Sequence, residues 1–117
     1  MGVTRVEELV AFQWAGEFKR ELYRLIAESP AARRDFRYRD QLTAAVSGVE
    51  ANIAEGFARF RPRECQAFFR YAIGSLAESR VRLKDGVDRG YFPDVEFDRA
   101  DRLHSEHVKR LSSPAPQ

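Results

Sequence analysis

Gln41–Glu78 reads QLTAAVSGVEANIAEGFARFRPRECQAFFRYAIGSLAE, and this stretch decides the fold. Two helical periodicities flank a short basic break at Ala58–Pro62. Leu42, Ala45, Val46, Val49, Ile53 and Phe57 recur on one face before the break. Phe68, Phe69, Ala72, Ile73, Leu76, Leu83 and Val87 do so after it. Pro62 suits a first helical turn, with Glu64 just behind it where the helix dipole favours a carboxylate. Gly48 inside the earlier helix costs about 1 kcal/mol relative to alanine and predicts the close approach of another backbone. Two polar signatures, Asn52-Ile53-Ala54-Glu55-Gly56 and Gly74-Ser75-Leu76-Ala77-Glu78, each set a carboxylate among small apolar residues. On facing helices of a hairpin they would satisfy one another.

Working outward, a first helix is expected from Thr4, where Thr4 and Glu7 have capping-box spacing. Val6, Leu9, Val10, Trp14, Phe18, Leu22, Leu25 and Ile26 form its apolar stripe. Ser29-Pro30 stops it, because the residue before a proline is pushed out of the helical region. Ala31–Asp40 reads as a basic connection with room for a partial helical turn. The third helix is expected to end near Gly90. Pro93-Asp94 opens the last one, with Val95, Phe97, Leu103, Val108 and Leu111 as a sparser stripe. Short links between long helices imply antiparallel neighbours. The expected fold is all-α, an antiparallel up-down-up-down four-helix bundle in one domain over residues 1–112, with a frayed tail at 113–117.

A chain of 117 residues with 44% hydrophobic and 32% charged residues suffices for one domain with a core of its own. Cys65 is the sole cysteine, which rules out an intrachain disulfide and fits a reducing compartment. No apolar run has membrane-spanning length, and Glu7 and Glu8 stand where a signal peptide would be basic and then apolar. The expected location is the cytoplasm. Net charge is only +2, too little to argue for nucleic acid. Its distribution says more. Lys19, Lys84 and Lys109 are the only lysines; Arg33, Arg34, Arg37 and Arg39 cluster before the second long helix, and Arg59, Arg61 and Arg63 after it. Asp94, Glu96, Asp98 and Asp101 gather at the last helix start, where they complement its macrodipole.

Asn52 and Glu55, and again Ser75 and Glu78, are spaced i,i+3. The four could share a proton as paired carboxylates do, or form a buried hydrogen-bond network with an arginine such as Arg80 or Arg24. No nucleophile–base pair or metal set accompanies them, so the structural network is the expected role, and no catalytic residue is assigned. Asp101-Arg102-Leu103-His104 is the nearest approach to a metal-carboxylate motif and occurs once, with His107 following; no metal or other cofactor is expected. Cys65 reads as a packing residue. Trp14, Phe12, Phe18, Phe68 and Phe69 sit at core spacing more than as base-stacking platforms. Phe12, Phe60 and Tyr38 fit the stripes less well and are candidates for a subunit interface.

The ordered set of Trp14, Gln41-Leu42, Asn52–Gly56, Arg63-Glu64 with Phe68-Phe69, Tyr71–Glu78 and Arg89-Gly90-Tyr91 resembles a bacterial family. These are the four-helix bundle proteins first noticed as products of intervening sequences in large-subunit ribosomal RNA genes, together with the accessory proteins of diversity-generating retroelements. The resemblance implies a homo-oligomeric ring, usually a pentamer. For the retroelement members it also implies RNA or DNA binding and association with a reverse transcriptase. The sequence departs from the family at Thr43 and Ala44, where arginines are common, and at Gly48, where serine is usual. The expected function is a non-enzymatic oligomeric scaffold that binds nucleic acid, or a nucleic-acid-processing partner, through its arginine-rich ends. The alternative is a purely structural or protein-interaction ring.

Overall fold

The computed structural model describes residues 9–112, with side chains throughout except at positions 103, 104, 106–108 and 110–112. The expected capping box at Thr4–Glu7 and the tail at 113–117 lie outside the described residues. Among these residues all regular structure is helical: α1 (Val10–Ala27), α2 (Pro30–Arg34), α3 (Phe36–Phe57), α4 (Pro62–Asp88) and α5 (Asp94–Ser112).

The start and stop signals act where the chain places them. The Ser29 hydroxyl accepts from the Ala32 N–H at 3.2 Å, so Ser29, just past the Glu28 that closes α1, caps α2, with Pro30 in its first turn. Asp35 then caps α3 by accepting from the Tyr38 N–H at 3.1 Å. The stretch 31–40 is therefore helical on both sides of Asp35, not a connection with a partial turn. Its arginines lie outward while Ala32 and Tyr38 turn inward. Pro62 opens α4 with Glu64 in its first turn. At the far end Gly90 takes a φ of 81°, the left-handed stop that glycine adopts without strain. Its N–H donates to the Val87 carbonyl at 2.9 Å and the Tyr91 N–H to the Gly86 carbonyl at 2.8 Å, the paired bonds of a Schellman motif.

Side-chain contacts join the long helices to one another. Lys19 meets Glu50 at 2.5 Å and Tyr23 meets Ser47 at 3.0 Å across α1 and α3. Arg24 meets Glu96 at 2.8 Å across α1 and α5, and Arg80 meets Asp101 at 2.5 Å across α4 and α5. The most extensive packing is between α3 and α4. The molecule is elongated, 46 × 24 × 19 Å, so its two ends are well separated surfaces.

Phe18, Leu22, Leu25 and Ile26 of α1, Leu42, Val46, Val49 and Ile53 of α3, and Ala72, Leu76 and Leu83 of α4 fill the core. Three sequence expectations change. Tyr38, expected off the stripes, is 2% exposed; its hydroxyl donates to the Arg82 carbonyl at 2.7 Å. It packs edge-on to Tyr91 at 5.2 Å, and Gly86 leaves the space, since a Cβ there would overlap the Tyr38 hydroxyl and lie 2.5 Å from the Phe92 ring. Val95 is 69% exposed, while Phe92 and Ala100 are buried. Gly48 admits a side chain and not a backbone, for a Cβ there would come within 2.9 Å of the Ser75 hydroxyl.

Among the described residues no helix is long and apolar enough to cross a membrane.

Candidate nucleic-acid interface

The arginines fall into different surroundings. Arg24, Arg80, Arg89 and Arg99 meet carboxylates on other elements. Arg24 donates to Glu21, Glu28 and Glu96 at 2.8–3.0 Å, and these hydrogen bonds raise its pKa still further above its ordinary value. The same contact, with Arg24 and Arg99 nearby, holds the Glu21 carboxyl below the usual carboxylate range. Arg89 bridges Asp85 at 2.9 Å and Asp35 at 3.3 Å, and Asp35 also accepts from the Tyr91 hydroxyl at 2.5 Å. Asp35 is thereby lowered, chiefly by Tyr91, and Tyr91 raised, chiefly by Asp35. These contacts offset charge between the helices and at the α4–α5 corner, while Arg20, Arg70 and Arg102 on the outer faces of the helices are exposed and have no ion-pair partner among the described residues.

The ends differ. At the α3–α4 turn, Arg61 and Arg63 are exposed and have no ion-pair partner among the described residues. Arg59 is engaged, meeting Glu55 at 2.6 Å and Glu64 at 3.7 Å with its guanidinium 4.9 Å from the Phe68 ring centroid. Phe60 stands among them fully exposed, at 101%. At the opposite end, Arg34 and Arg37 are exposed and likewise unpaired among the described residues. Arg33 donates to the Ala27 carbonyl and Arg39 to the Arg33 carbonyl at 3.3 Å. Backbone carbonyls orient these two guanidinium groups without cancelling their charge. Among the described residues Asp40, 3.9 Å from Arg39, is the one carboxylate that approaches this cluster. Phe36, 65% exposed, lies beneath Arg39 at 4.8 Å.

Thus the structure places Arg33, Arg34, Arg37 and Arg39 together at one end and Arg59, Arg61 and Arg63 together at the other. The exposed aromatics among them add to the basic clusters. Phe36 was legible in Arg33-Arg34-Asp35-Phe36-Arg37-Tyr38-Arg39, where aromatic and basic residues interleave, yet the arginine count alone does not single it out.

The polar signatures do not form the expected buried network. Asn52 donates to the Gly48 carbonyl on its own helix at 2.8 Å. The Glu55 side chain is 49% exposed and pairs with Arg59; that of Glu78 is 53% exposed and lies 3.7 Å from Arg82. The reason is angular. Glu55 follows the buried Ile53, and Glu78 the buried Leu76, by two residues, roughly 200° around a helix, which aims both carboxylates outward. Arg24 and Arg80, the arginines considered as their partners, meet Glu21, Glu28, Glu96 and Asp101 instead. Ser75 is half-buried at the Gly48 contact. Among the described residues no group of histidines, cysteines and carboxylates is gathered to hold a metal; the His104 and His107 side chains lie outside the described residues. Burial raises the Cys65 thiol, the wrong direction for a nucleophile at neutral pH.

Phe12 and Phe69 pack against the core as half-buried residues and Phe18 is fully buried, so the exposed aromatic surface lies at Phe36, Phe60 and Tyr71, with Tyr23 less exposed. No curated protein matches this sequence. A family model described as 23S rRNA-intervening sequence protein matches residues 7–113. The chain belongs to the family of 23S rRNA-intervening sequence proteins.

Proposed function

We propose that this chain is a four-helix bundle serving as the repeating unit of a non-enzymatic, homo-oligomeric scaffold, a pentameric ring as the family resemblance implies. Its arginine-rich ends bind RNA or DNA and present it to a nucleic-acid-processing partner such as a reverse transcriptase. The observation that carries the nucleic-acid part is the clustering of arginines at the two ends, where Arg34, Arg37, Arg61 and Arg63 are exposed and have no ion-pair partner among the described residues. The family's name is compatible with this reading. Phosphate is the natural counter-group, because the guanidinium fork matches its oxygens. A ring repeats each end around its axis and multiplies a modest charge per chain. Such contacts position a strand without reading its bases.

Tyr71, Gly74, Glu78 and Val81 support the oligomeric part. They recur at helical spacing along the outer face of α4, with Tyr71 59% and Val81 63% exposed. The same stripe favours the second reading, a protein-interaction ring without nucleic acid.

The test is retention of generic RNA and DNA against salt, with mass measured in parallel. Each phosphate contact adds roughly 0.7–0.9 to the slope of log affinity on log salt. Arg61→Ala with Arg63→Ala is expected to lower that slope by about 1.5 per chain at unchanged mass. Arg59→Ala adds less, since Glu55 and Glu64 already hold that guanidinium. A wild-type protein that retains no nucleic acid at low salt would leave the interaction ring as the better reading. A monomer mass at micromolar concentration would remove the ring.

A further inference from the structure

A cleft of about 290 Å³ opens between the end of α1, α2 and the start of α3, lined by Tyr23, Ile26, Ala27, Arg33, Arg39 and Thr43. Its volume lies at the small end of ligand pockets, room for one heterocycle. The floor is apolar, and the neutral polar groups around it are already occupied. The Tyr23 hydroxyl meets Ser47 at 3.0 Å, and the Thr43 hydroxyl donates to the Arg39 and Asp40 carbonyls at 2.9 and 3.2 Å. The polar chemistry left to a ligand is that of Arg33 and Arg39, both oriented by backbone carbonyls. The fitting ligand has a flat, weakly polar body and an attached anion. Beside the mouth Phe36 and Arg39 form a stacked aromatic–guanidinium pair, a surface on which a second ring can lie.

We infer that this cleft seats one unpaired nucleobase of a single-stranded RNA or DNA, with the adjoining phosphates on Arg33 and Arg39 and a neighbouring base on Phe36. This rests on the nucleic-acid reading above and sharpens it. A duplex keeps its bases stacked inside and cannot fill the cleft, whereas a single strand or loop presents them freely. The end at Arg33–Arg39 is then a strand-selective site, and the Arg61–Arg63 end a phosphate contact indifferent to bases.

The experiment compares short oligo(dT), an abasic strand of equal length and a duplex, by fluorescence anisotropy over a salt series. Wild-type protein is expected to bind oligo(dT) roughly tenfold tighter than the abasic strand, the scale of one base on an aromatic wall. Their salt slopes should match, because the phosphates are the same. Ala27→Trp, which fills the cleft from the exposed last residue of α1, should narrow the preference for oligo(dT) over the abasic strand, leaving only what the base on Phe36 contributes. Equal affinity of the wild type for both strands overturns the cleft assignment and leaves phosphate binding standing; this comparison needs no variant to fold. Loss of base preference in Phe60→Ala but not in Ala27→Trp overturns it too, by moving the stacking to the other end. Failure of every probe to bind at low salt removes the nucleic-acid reading itself.

Discussion

Tyr38 joins α3 to α4 and to the corner after α4, and two substitutions separate its contributions. Tyr38→Phe removes only the hydroxyl that donates to the Arg82 carbonyl at 2.7 Å. That carbonyl keeps the helical N–H four residues on, so no buried acceptor is orphaned, and the expected cost is the net worth of one hydrogen bond, about 1 kcal/mol. For a domain of this size that is a fall in Tm of about 4 °C. Tyr38→Ala also removes a ring packed 5.2 Å from Tyr91 and 6.3 Å from Phe92, beside the space that Gly86 leaves open. A truncation of that kind costs about 3–5 kcal/mol, a large share of the roughly 5–15 kcal/mol that holds a domain folded. Urea unfolding followed by far-UV circular dichroism measures both, at several protein concentrations so that assembly and folding are told apart. Tyr38→Ala within 1 kcal/mol (about the hydrogen bond alone) of wild type would refute the reasoning. So would a loss seen only in assembled mass, which would place the ring between subunits.

Glu21 sets part of the acid limb of stability. Its native pKa is depressed, first by its hydrogen bond to Arg24, so its contribution is present above the ordinary carboxylate pKa of about 4.3 and is lost as pH falls through the lower native value. Urea midpoints measured from about pH 6 to about pH 3 should fall less steeply in Arg24→Gln than in wild type, and equal slopes would exclude that role. Cys65, raised by burial, should react with iodoacetamide at neutral pH more slowly than a free thiol and reach the free rate in urea; a native rate above the free one would indicate an activated thiolate. Glu55→Ala and Glu78→Ala each remove an exposed carboxylate one turn from an arginine and should shift protomer stability by less than about 1 kcal/mol. A loss of several kcal/mol at concentrations where the mass is that of a single chain would show that the carboxylates are buried after all.

The stripes from Phe18 to Ile26, Leu42 to Ile53 and Ala72 to Leu83 were legible because buried apolar residues at helical spacing leave a pattern that little else produces. Pro62 was legible as a start and Gly90 as a stop for the same kind of local reason. The start of α3 was not. Four arginines between positions 33 and 39 dominate that stretch, and they hid Asp35 as a cap and Tyr38 as the first member of the Leu42 stripe. Asn52–Gly56 and Gly74–Glu78 misled in the other direction. Their small apolar neighbours suggested burial, while the two-residue offset from Ile53 and Leu76 aims both carboxylates outward. At the candidate interface the arginine clusters were visible in sequence. The cleft was not, because it is made by α2 turning back between two longer helices, and no local pattern encodes that turn.

The α3–α4 pair has a kinetic consequence. Its partners are joined by the few residues between Phe57 and Pro62 and share the largest interface, so most of the native packing forms after a very short loop has closed. Contacts this local are made early and fast, while α1 and α5 come from the outer parts of the described chain and dock on a surface already in place. Substitutions at Val49 or Leu76 should therefore slow folding, and those at Phe97 or Ala100 should chiefly speed unfolding.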